Sequence, residues 1–157
     1  MKWLVSNPEG GKRISFGRLL WVGPLAVLAS VIANVLVSLT AVALVGISPE
    51  FEPLHLRPVI GFTVAGVLGA VIVFALVARF SRRPVRLFRR IALVVLLLSF
   101  VPDLSLLLYA SPYAGTTVQS VIVLMLMHVV AWLISVGLLT TLTRKGNAHE
   151  RSRLAER

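Results

Sequence analysis

Six arginines and no acid stand within the twelve residues Arg79–Arg90 (RFSRRPVRLFRR), and on either side the chain is apolar for about 20 residues. No other feature narrows the fold so far. Wound as helix, runs of that length match a hydrocarbon core about 30 Å thick. Arginine heads resist crossing that core, and short loops rich in Lys and Arg stay on the cytoplasmic side. Placing this connector inside fixes the direction of every other segment.

The rest of the chain follows the same pattern. Of its 157 residues, 57% are hydrophobic and only 14% charged, more apolar surface than a soluble domain of this length can hide. Four apolar runs are expected to be spans, at about 19–45, 59–78, 91–110 and 117–142. They form one transmembrane domain, 19–142, between a basic N-terminal segment, 1–18, and a basic tail, 143–157. Asn7-Pro8-Glu9-Gly10-Gly11 marks a turn in the first of these segments. Trp3 and Trp21 suit the headgroup level. Ala41-Val42-Ala43 resembles a signal-peptide cleavage site, but the run before it far exceeds the roughly 7–15 residues of a signal core, so an uncleaved anchor is expected. Residues 46–58 (GISPEFEPLHLRP) make one loop and Ser111-Pro112-Tyr113-Ala114-Gly115 a shorter one.

Charge orients the spans. Four Lys/Arg precede the first run, six lie in the connector and five follow the fourth; Arg57 stands alone on the other side. Both termini are therefore expected in the cytoplasm. The formal net charge of +10 flanks apolar runs instead of tiling one polar face, which points to anionic lipid headgroups and away from nucleic acid. Arg82, Arg83, Arg86, Arg89 and Arg90 are the candidate headgroup contacts.

Several chemistries drop out. Without cysteine there is no disulfide, thiol relay, Cys-ligated zinc or iron–sulfur cluster. Only one histidine falls inside a run, so a bis-histidine haem is excluded. No phosphate-binding loop or paired catalytic carboxylates occur. No cofactor, metal site or catalytic residue is assigned, and a non-enzymatic role is expected.

Packing signals lie inside the runs. In lipid, helices associate through close backbone approach and polar contacts. Ala26, Ser30, Asn34 and Ser38 recur every fourth residue in the first run; Gly61, Ala65 and Gly69 do so in the second, with Gly66 and Ala70 beside them. These stripes are expected to face each other or a neighbouring subunit. Pro102 removes a helix N–H, which predicts a kink and a Leu98 carbonyl without its usual partner.

Asp103 is the only acid and His128 the only histidine inside any run, with Met125, Trp132 and Ser135 on the histidine's helical face. At about 1.5 Å per residue from the arginine side, Asn34 and Thr63 fall near 24 Å, Asp103 near 20 Å and His128 near 22 Å. Each span thus offers one polar group at nearly one level. Asp103, His128, Asn34 and Thr63 form the candidate intramembrane site: polar contacts that fix the bundle's register, a titratable pair able to gate protons or hold a small molecule, or no pair at all if Asp103 and His128 point to different places.

The stretch RRPVRLFRRIALVVLLLSFVPDLSLL (82–107), followed by LMLMHVVAW (124–132), resembles a bacterial family of small four-span membrane proteins, domain of unknown function 6069. The likeness rests on Arg83-Pro84 in a basic connector, Ser and Pro near the middle of the third span, and Met127-His128 in the fourth. It implies the four-span fold over about residues 20–143 and draws attention to His128; it implies no activity. The expectation is an all-α integral membrane four-helix bundle in a prokaryotic plasma membrane. It would act as a structural or accessory subunit, within a homo-oligomer or a larger membrane complex. The alternatives are an oligomeric transporter or channel built on the Asp–His pair and, more remotely, a membrane enzyme acting on a lipid-soluble substrate.

Overall fold

The computed structural model describes residues 16–109 and 111–143, which form four long helices and no strand. Residues 1–15, with Trp3 and the expected Asn7–Gly11 turn, and 144–157 lie outside the described residues. Helix α1 spans Phe16–Thr40, α2 Leu56–Phe80, α3 Pro84–Leu108 and α4 Val118–Leu142. Each is long and apolar enough to cross a membrane.

Local chemistry sets the ends. A π-helical turn, Ala41–Val45, continues α1 until Gly46 adopts φ 71°, the left-handed conformation that glycine takes without a Cβ clash. Pro58 falls in the first turn of α2, where its missing N–H would have had no helical partner. Pro84 opens α3 for the same reason, so Arg86, Arg89 and Arg90 lie on a helix and not in an open connector. Pro102 sits inside α3 without ending it. A capping box starts α4: Ser120 N–H donates to Thr117 Oγ1 at 3.2 Å and Thr117 N–H to Ser120 Oγ at 2.8 Å.

The helices run antiparallel, α1 packed on α2 and α4, and α3 on α4 and α2. Two apolar clusters fill the ends. At the arginine end Leu19, Val22, Phe74, Val77, Phe88, Val136 and Leu139 pack together, Phe74 and Phe88 edge to face with centroids 4.9 Å apart. At the loop end Ala41, Val59, Val123 and Met127 are closed over by Ile47, Phe51 and Leu54 of the 46–55 loop. Ser38 Oγ donates to the Leu54 carbonyl at 2.6 Å and pins that loop to α1. Gly115, at φ 71°, lies so near it that a Cβ would meet Ser48 Cβ at 2.7 Å.

One of the two alternatives for the stripes drops out. The stripe on α1 is buried, but Gly61, Ala65, Gly66 and Gly69 of α2 face outward, so the two stripes do not face each other, and a neighbouring subunit is the alternative left for that of α2. The side of α2 turned into the bundle carries Val59, Thr63, Val67, Phe74 and Val77. Where α1 and α2 do approach closely, the glycine is Gly23, whose Cβ would lie 3.3 Å from Val71 Cγ1.

Candidate functional site

Between the two apolar clusters the bundle turns polar. Ser30 and Asn34 come from α1, Thr63 from α2 and Asp103 from α3, all of them buried, and α4 supplies His128. Their places along the helices, roughly 21–29 Å from the arginine end at 1.5 Å per residue, put the four predicted residues in one layer. α3 shows how selective this is: its buried residues are Phe88, in the arginine-end cluster, and Asp103.

The four predicted residues meet as two pairs. Asn34 Nδ2 donates to Thr63 Oγ1 at 3.0 Å, joining α1 to α2. His128 Nδ1 lies 3.2 Å from Asp103 Oδ2, joining α4 to α3. The same nitrogen is 2.9 Å from the Leu124 carbonyl one turn earlier. A carbonyl oxygen only accepts, so the hydrogen is assigned to Nδ1, and a neutral ring carries its lone pair on Nε2. The Nδ1–H serves Leu124, which leaves Asp103 Oδ2 in charge contact with the ring but without a hydrogen bond. His128 is held further by Phe100, edge to face at 6.5 Å, and its side chain stays 40% exposed on the flank of the bundle. The pair thus runs from a buried carboxylate to an accessible imidazole edge.

Four buried polar atoms have no hydrogen-bond partner among the described residues: Ser30 Oγ, Asn34 Oδ1, Asp103 Oδ2 and Trp132 Nε1. Ser135 differs, since its hydroxyl donates to the Ala131 carbonyl at 2.7 Å. Leu124, Phe100 and Ser30 were not among the predicted site residues. Ser30 was visible as a member of the α1 stripe; a backbone acceptor and an aromatic contact leave no mark in sequence.

The five candidate headgroup arginines are all exposed, and Arg89 Nη2 also donates to Thr140 Oγ1 of α4 at 3.4 Å. At the opposite end an open groove of about 860 Å³ lies between the close of α1 and the start of α2, with Ser38, Val42, Glu52, His55 and Arg57 in its wall. It contains none of the four layer residues. No group of three or more His, Cys, Asp or Glu able to hold a metal occurs among the described residues.

Four apolar helices around an internal polar layer define a small multi-pass membrane bundle. The profile of a family of unknown function, DUF6069, matches residues 15–145, and the chain belongs to that family. No curated protein and no solved structure matches it.

Proposed function

We propose that the chain is a structural or accessory subunit of a prokaryotic plasma membrane, without catalysis of its own, inserted with its arginine end and both termini in the cytoplasm. The observation that carries this reading is the uncovered surface of α3. That helix buries little beyond Phe88 and Asp103, while Leu93, Val94, Val95, Leu97, Leu98 and Val101 face outward. Both described loops are short, and that over 46–55 folds back on the bundle, so the membrane-embedded surface is the largest one that the described residues offer to a partner. Fifteen of sixteen Lys/Arg on one side support the orientation, with Arg82, Arg83, Arg86, Arg89 and Arg90 set against anionic headgroups.

The absence of native cysteine makes a direct test simple. In intact cells a membrane-impermeant maleimide is expected to label Glu52→Cys and to spare Arg82→Cys. In native membranes Leu97→Cys is expected to cross-link into one adduct of defined mass. Reversed labelling overturns the orientation, and the absence of any discrete adduct overturns the subunit role.

A second reading is favoured by one observation, the Asp103–His128 contact. A buried carboxylate joined to a half-exposed imidazole can pass a proton between the bundle interior and its flank. Under this reading Asp103→Asn stops proton flux in liposomes; under the first it alters stability alone.

A further inference from the structure

We infer that the groove between the end of α1 and the start of α2 is a site for one zwitterionic phospholipid whose headgroup ends in a primary ammonium. The inference goes beyond the subunit reading and needs only that the bundle lies in a membrane. At about 860 Å³ the groove is of ligand size. Its wall is largely apolar, with Leu39, Val42 and Ala43 at the close of α1 and Leu56 and Pro58 in the first turn of α2. Glu52, His55 and Arg57 add polar groups where α2 begins, the level at which a span of this length meets the headgroups.

The groove is preformed. Ser38 Oγ donates to the Leu54 carbonyl at 2.6 Å and His55 Nε2 to the Pro49 carbonyl at 2.7 Å, so the loop side is tied in place. Val42 and Ala43 belong to the π-helical turn, a form of helix that recurs at functional sites. Charge names the occupant. Glu52 and Arg57 stand with opposite charges in one groove, and neither has an ion-pair partner among the described residues. An anionic lipid would suit Arg57 but bring a negative charge to Glu52 with nothing to offset it. A headgroup with both phosphate and ammonium meets both: the phosphate accepts from the Arg57 guanidinium, and the ammonium donates to the Glu52 carboxylate. A choline headgroup has no N–H to donate, so the primary ammonium is the better match. α2 begins in this wall without a side-chain cap, and the positive end of its dipole acts with Arg57 on the phosphate. An acyl chain lies along Leu39 and Val42, both exposed in the groove, and a free phosphate would leave that apolar wall uncovered.

The test is photo-cross-linking of the full chain in nanodiscs of equal phosphatidylethanolamine and phosphatidylglycerol. Each lipid is supplied in turn as a trace carrying a diazirine in one acyl chain, and adducts are located by peptide mass spectrometry. The expected result is an adduct within residues 38–58, formed about tenfold more with the ethanolamine lipid. Arg57→Gln is expected to lower that adduct at least tenfold, while adducts on the outer face of α3 stay unchanged. Glu52→Gln is expected to keep the adduct and lose the preference between the two lipids. Both residues are exposed, so neither change disturbs the packed interior. A preference of the unmodified chain for the glycerol lipid overturns the headgroup assignment. Adducts spread over every lipid-facing helix and indifferent to Arg57→Gln overturn the site. Displacement of the adduct by inorganic phosphate alone means that the charged rim takes a free anion, and overturns it too. The subunit reading is decided separately, by the Leu97→Cys cross-link on α3, so either can fail without the other.

Discussion

Two acceptors crowd one nitrogen of His128, and that crowding makes Asp103 more than a buried charge. The Leu124 carbonyl takes the Nδ1 hydrogen, the carboxylate stays 3.2 Å from the same nitrogen, and the side chain keeps 40% of its surface exposed. Even a direct hydrogen bond between membrane helices contributes only about 0.6 kcal/mol on average and up to about 1.7, which bounds what this contact can give. A double-mutant cycle with Asp103→Asn and His128→Gln is therefore expected to give a coupling of about 1 kcal/mol in unfolding free energy. Proton flux into liposomes, measured on the same variants, separates the two functional readings: under the structural one it is unchanged. Both residues were legible as candidates, because each is the only one of its kind inside a span and the two fall at one depth; that they touch was not. The ring's tautomer was not, since a backbone carbonyl sets it. Ser30 could be placed on the right stripe, but the lack of a partner for its hydroxyl depends on how α4 and α2 close around α1.

At the scale of the helices, the four runs were legible but α3 was not in full, since it starts at Pro84, seven residues before the expected run, because Pro at the first helical position lets the arginines join the helix. Which small-residue stripe is buried did not follow, because spacing shows that a face is small without showing what stands opposite. α1 buries its stripe, and α2 turns its own glycines outward. This difference predicts unequal costs for one substitution. Gly23→Val, at a site where even a Cβ lies 3.3 Å from Val71, is expected to destabilise the bundle by about 1–3 kcal/mol. Gly61→Val, where no atom lies within 4 Å of that Cβ, is expected to change stability by less than about 0.5 kcal/mol. Thermal unfolding of the two variants in one nanodisc preparation checks this. Equal losses would mean that α2's outer stripe is itself covered.

Across the whole molecule, two apolar clusters clamp the ends of the bundle and a polar layer divides them. The four-span architecture was legible from run length and from the arginines between the runs. The layer was legible only as a coincidence of depth, since helical rotation decides whether residues at one level meet. Both functional readings of the layer require α3 and α4 to bring Asp103 and His128 together inside a lipid bilayer. Solid-state NMR on the full chain in liposomes, labelled with ¹⁵N in histidine and ¹³C in aspartate, measures this directly. The predicted result is a neutral ring protonated at Nδ1, with dipolar coupling from that nitrogen to the Asp103 carboxyl carbon that is lost in Asp103→Asn. A ring protonated at Nε2, or no coupling to the carboxyl carbon, would contradict it.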